Sequence, residues 1–202
     1  MHKTSLLLFF VLFFQYNVNS QSHFGLKTGI NVANQHKSIS IPQVPSNTQN
    51  TKPLVGYQLG AFYKTPLDKK FLFSAEANFS VIGSCMTLIT EDGNRHNTRE
   101  KLGYIEIPLT VQYEVGKFYL GAGPSISFKV FSKLTNFENR NYDLPYYRTI
   151  DAAGNILAGY NILKKLDVNV RYSYGLVNAL KDPGYAKIKN RFFNLSLLYT
   201  LK

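Results

Sequence analysis

Side-chain character alternates with a period of two through eight separate stretches of this 202-residue chain. Successive side chains of a β-strand point to opposite faces, so strict alternation means a sheet whose faces meet different surroundings. The stretches cover residues 24–33, 54–64, 71–82, 102–115, 118–131, 149–162, 166–176 and 189–201. The fourth is the clearest: Ile105, Ile107, Leu109, Val111, Tyr113 and Val115 oppose Tyr104, Glu106, Thr110, Gln112 and Glu114. The seventh sets Leu166, Val168, Val170, Tyr172 and Tyr174 against Asp167, Asn169, Arg171, Ser173 and Gly175. One face is apolar and almost free of charge; the other is rich in Asn, Ser, Gly and ionised groups.

The breaks between stretches alternate in length. Residues 65–70, Gly116-Lys117 and Leu163-Lys164-Lys165 make short turns, whereas 34–53, 83–101, 132–148 and 177–188 make long loops. Short turns at one end and long loops at the other characterise transmembrane barrels, and an even strand count puts both termini at the short-turn, periplasmic end. Aromatic side chains fall near both ends of the apolar face, where amphipathic rings favour a membrane interface. Phe24, Tyr63, Phe71, Phe73, Tyr113, Phe118 and Tyr199 mark one end, and Phe128, Tyr172 and Tyr174 the other. Hydrocarbon offers no partner to backbone N–H and C=O groups, so such a sheet must close on itself. The fold expected is all-β: an eight-stranded antiparallel up-and-down transmembrane β-barrel with a small polar interior. A soluble calyx, with its apolar faces turned inward, is the rival architecture.

The N-terminus has the anatomy of a cleavable export signal. His2 and Lys3 precede the apolar run 6–14, and Val18 and Ser20 suit the positions before a cut at Gln21. Residues 1–20 are therefore expected to be a signal peptide and 21–202 an outer-membrane barrel domain. The formal charge of +11 comes from scattered Lys and Arg with no basic run, which argues against nucleic-acid binding and for contact with anionic lipid head groups. Cys85 is the only cysteine, so no internal disulfide can form.

The polar face of an eight-stranded barrel fills its own interior. Glu76, Glu106, Arg171, Lys129 and Asp151 are expected to form a structural charge cluster there, with Arg171 paired to Glu76 or Glu106, because enclosed charges must be paired and hydrogen-bonded. The inward glycines make room for these long side chains, which argues against a wide aqueous pore. Among the loops, 132–148 offers the best contact surface through Phe137, Tyr142, Tyr146 and Tyr147, interleaved with Arg140 and Arg148.

No catalytic constellation stands out, and no enzyme activity is expected. A lipid-modifying hydrolase would need a Ser–His pair with an acidic orienter. His96 with Asp92 and Ser84 is the only loose candidate, and a solvated loop explains it better. No His or Cys spacing suits a metal. Gly121-Ala122-Gly123 lacks the third glycine and the strand-to-helix turn of a nucleotide fingerprint. No cofactor is expected.

Four segments resemble the PorT-like outer-membrane β-barrel family of Bacteroidota: Phe24-Gly25-Leu26-Lys27-Thr28-Gly29-Ile30-Asn31, Tyr104-Ile105-Glu106-Ile107-Pro108-Leu109, Gly121-Ala122-Gly123-Pro124 and Arg171-Tyr172-Ser173-Tyr174-Gly175-Leu176. The resemblance covers nearly all of 21–202 and implies an outer-membrane barrel. The chain departs from such barrels in ending Tyr199-Thr200-Leu201-Lys202 instead of on an aromatic residue. The expected partners are outer-membrane lipids and an envelope or secretion protein, with no nucleic acid. The leading functional expectation is a structural or binding role through long extracellular loops. The alternative is an accessory subunit of a secretion or transport assembly, and a lipid-modifying barrel enzyme is a distant third.

Overall fold

Strand β1 (His23–Ile39) has a long paired strand on each side, which no strand at the edge of a sheet can have. On one side lies β3 (Lys52–Pro66); on the other lies β10 (Ala186–Thr200), paired antiparallel from Gly25–Thr200 to Ile39–Ala186. The chain is described by a computed structural model over residues 22–39, 47–89, 95–135, 140–182, 184 and 186–202. The predicted export segment lies outside the described residues. The ring continues from β3 through β4 (Phe71–Ile89), β5 (Arg95–Val115), β6 (Phe118–Thr135), β8 (Ile150–Leu163) and β9 (Leu166–Gly175) to β10. Two short strands, β2 (Asn47–Asn50) on β1 and β7 (Asn141–Asp143) on β6, add to it outside the ring. The eight-stranded antiparallel up-and-down barrel is thus observed, with its one sheet closed.

The short turns are where the alternation placed them. At Gly116 the backbone has φ +63°, the left-handed conformation that a two-residue hairpin needs and glycine adopts without steric cost. The start of β1 and the last residue meet beside these turns, the Phe24 amide donating to the Lys202 carbonyl at 3.0 Å.

The outer face is a band of exposed apolar side chains. Val55, Leu59, Leu120 and Ile156 are all more than 60% exposed, while the alternate residues Gln58, Asn155 and Gln112 are buried. A sheet that buries its polar face and exposes its apolar one is inverted relative to a soluble protein, and hydrocarbon is the solvent that suits it. This excludes the calyx. From Ile105 to Val115 the outward residues of β5 span about 25 Å at the usual strand tilt, the height of a barrel's apolar band.

The strands run further than the alternation indicated. Residues 34–39, 83–89, 95–101, 132–135 and 186–188, read from the sequence as loop, are paired strand. The pairing persists because the side chains change roles there. Below, Ile105 and Phe193 face outward and Glu106 and Asn194 inward; above, Lys101 and Lys189 face outward while Leu102, Ile188 and Phe192 are buried inside. The wall continues beyond the membrane as an ordinary sheet with its apolar face in.

Candidate functional site

Three groups of side chains cross the lumen. At mid-height Glu76 lies between two cations: its Oε2 accepts from Lys27 Nζ at 2.9 Å and its Oε1 accepts from Arg171 Nη2. All three side chains are at most 1% exposed. Asn78 Nδ2 donates to the same Glu76 Oε2 at 2.9 Å, and Ser80 donates to Glu106 at 3.3 Å. Lys27, Glu76, Glu106 and Arg171 thus come together at mid-height from β1, β4, β5 and β9.

Nearer the short turns, Lys64 Nζ pairs with Asp167 at 2.8 Å and lies 4.7 Å from the centre of the Tyr119 ring. Tyr119 is buried and lies flat over Gly159, its strand-opposite neighbour, where a Cβ would come within 2.0 Å of the ring. A cavity of about 210 Å³ opens beside this pair, lined by His23, Glu114, Asn161, Lys164 and Thr200 among others.

Among the described residues, the long-loop end is closed by the chain itself. Leu144 and Tyr147, in the connection from β7 to β8, are buried against Leu102, Tyr104, Ile188 and Phe192 of the wall and Ala179 of the last loop. The Tyr147 hydroxyl donates to Glu100 at 2.9 Å and accepts from Gln35 Nε2 at 3.1 Å. Glu100 is paired with Lys37 at 2.8 Å, and Gln35 continues through Asn190 to Asp151. The backbone is fastened too: Lys129 Nζ donates to the Tyr147 carbonyl at 2.7 Å, and the Arg148 amide donates to the Ala179 carbonyl at 2.7 Å. Burial, and then the negative charge of Glu100, push the Tyr147 hydroxyl pKa far up and that of Tyr146 up to about 12.

The residues singled out from the sequence therefore divide. Glu76, Glu106 and Arg171 come together at mid-height. Lys129 and Asp151 do not join them; both serve the upper closure, because they stand at the rim ends of β6 and β8. Tyr142 and Tyr146 are exposed on the outer side of the loop, but Tyr147 is fully buried and is a plug residue, not a contact residue. Phe137 lies outside the described residues. Ser84 is buried in the lumen and donates to Gln35 at 2.9 Å, whereas His96 is paired with Leu88 far along the same hairpin and Asp92 lies outside the described residues. The apolar cluster around Leu102 and Phe192 was missed in the sequence. Its signal is the change of phase at Lys101 and Arg191, where charge moves to the outward positions.

A ring of paired strands, apolar outside and filled inside, defines a transmembrane β-barrel of the outer-membrane class. The chain belongs to the outer membrane protein beta-barrel domain family, whose model matches residues 13–181. Among solved structures it is similar to Ail, the attachment invasion locus protein of Yersinia pestis, in complex with the heparin analogue sucrose octasulfate. That match has 10% identity and a TM-score of 0.50, covering 89% of this chain and 99% of the other. It is likewise similar to Neisserial surface protein A, at 10% identity and a TM-score of 0.50, covering 87% of this chain and 96% of the other. No curated protein sequence matches the chain.

Proposed function

We propose that this outer-membrane barrel is a non-conducting binding protein that works through its extracellular end, exported by a signal within residues 1–20 that is removed. The observation that carries this reading is the double closure of the lumen. The Lys27–Glu76–Arg171 group fills the barrel at mid-height, and Leu144 and Tyr147 cover it above. A channel needs a wetted path, and side chains from β1, β4 and β9 meet across that path at mid-height. A sheet that continues past the membrane, with Tyr142 and Tyr146 exposed on its connecting loop, supplies a surface for a partner. The placement beside PorT-like barrels rests on the segments around Tyr104-Ile105-Glu106 and Arg171-Tyr172.

The test is conductance of the purified barrel in planar bilayers, on material that migrates faster unboiled than boiled on a denaturing gel. Silent membranes are expected for the native chain and for Tyr147→Ala, because the mid-height group still fills the lumen. Discrete conductance steps in the native barrel would overturn the reading.

A further inference from the structure

On β10 the outward side chains change abruptly from Tyr199, Leu197, Leu195 and Phe193 to Arg191, Lys189 and Lys187. Alternate residues on one face of a strand are about 6.6 Å apart, so the three cations stand in a column roughly 5–15 Å above the edge of the apolar band. Their neighbours across the β1 ladder are Asn34, His36 and Ser38, and none is acidic. On the β5–β6 wall, Lys101 and Lys133 are direct cross-strand partners, with Arg99 two residues further up. Like charges directly opposite on a ladder destabilise it. Asp143 faces Lys133 from β7, but no ion pair within 4.0 Å joins them, and the nearest acid in sequence, Glu100, points inward to Lys37 and Tyr147.

We propose that these two outward basic clusters bind the phosphate groups of phosphorylated glycolipid in the outer leaflet, fixing the barrel's depth. Position decides the source of the phosphate. The clusters face sideways, on the side of the wall that contacts lipid, at the height of the head groups, and long basic side chains at this level can reach up or down to them. Lys189 already lies with its Nζ 5.4 Å from the centre of the Tyr174 ring, a residue of the upper aromatic band. The phosphates relieve the Lys101–Lys133 repulsion and stay put because the apolar tails beneath them pack on Phe193 and Ile105. The inference rests on the orientation with long loops outward, but not on the absence of conductance.

The experiment compares the temperature at which the folded gel band is lost in zwitterionic detergent alone, with lipid A, with dephosphorylated lipid A, and with inositol hexakisphosphate. Lipid A is expected to raise that temperature in the native chain. Each basic residue near an anionic surface contributes about fivefold in affinity, so Lys189→Gln/Arg191→Gln and Lys101→Gln/Lys133→Gln should each need roughly twenty-five times more lipid A. In detergent alone Lys101→Gln/Lys133→Gln should be as heat-stable as the native chain or more so, which separates lost binding from failed folding. An equal rise with dephosphorylated lipid A, or an unchanged lipid A requirement in both variants, would overturn the proposal. So would an equal rise with inositol hexakisphosphate, which would make the site one for free anions.

Discussion

Tyr147 reaches from a loop into the barrel and donates its hydroxyl to Glu100 on the wall at 2.9 Å. Glu100 is held in turn by Lys37 at 2.8 Å, so one phenol ties the β7–β8 connection to β5 and β1. A hydrogen bond to a charged acceptor contributes about 1.5–3 kcal/mol. Tyr147→Phe keeps the buried ring and removes that bond. Amide exchange at Arg148, whose N–H is bonded to Ala179, should quicken by roughly tenfold or more in the variant, while the barrel's heat transition stays put. Unchanged exchange at Arg148 would mean that apolar packing alone holds the plug.

Glu76 stands between two buried cations, and removing one partner from such a group costs about 3–5 kcal/mol because a charge is left uncompensated. Glu76→Gln is therefore expected to lower the temperature at which the folded gel band disappears by far more than Glu114→Gln, which lines the cavity at the short-turn mouth. Equal effects of the two substitutions would show that the mid-height pairs are not what stabilises the wall.

How much of this was legible depended on which surroundings each strand met. Within the membrane, lipid outside and polar filling inside force the strictest alternation, and Ile105–Val115 with Glu106 and Gln112 spelled out both faces. Arg171 with Glu76 was legible for the same reason: a charge at mid-strand on the inward phase has nowhere else to go. Above the membrane the rule reverses. At Leu102, Ile188 and Phe192 the inward phase becomes apolar and the outward phase basic, so a pattern sought with one polarity stops there and the remainder reads as loop. Tyr147 was illegible for another reason. Tyr142, Tyr146 and Tyr147 look alike in sequence, and only the return of the chain beneath Ala179 and over Leu102 decides which ring turns in. Lys129 and Asp151 are read from phase as members of the interior charge cluster; both reach into the interior, but their height along β6 and β8 puts them with the plug.

Tyr119 and Gly159 form a matched pair across the ladder, the ring occupying the space a side chain would take. Gly159→Val should force the ring off its site, away from Lys64, at a cost of about 1–3 kcal/mol from overpacking. Tyr119→Ala combined with Gly159→Val should recover part of that loss, since the crowding atom is gone. A double-mutant cycle on the heat transition measures it, and strict additivity of the two substitutions would show that ring and glycine are not coupled.

The plug should also respond to alkali. An unfolded tyrosine ionises near pH 10, whereas burial and then Glu100 push Tyr146 up to about 12 and Tyr147 beyond it. Raised pKa values mean that the docked loop keeps protons which the undocked loop would release. The docking stability linked to these groups is therefore complete below about pH 10; the share of Tyr146 is lost as pH rises through 10 to 12, and that of Tyr147 persists to higher pH. Tyrosinate absorbance, taken as the native chain minus Tyr146→Phe, should show a titration centred near pH 12. A centre near pH 10 would mean that neither partial burial nor the charge of Glu100 acts on the Tyr146 hydroxyl.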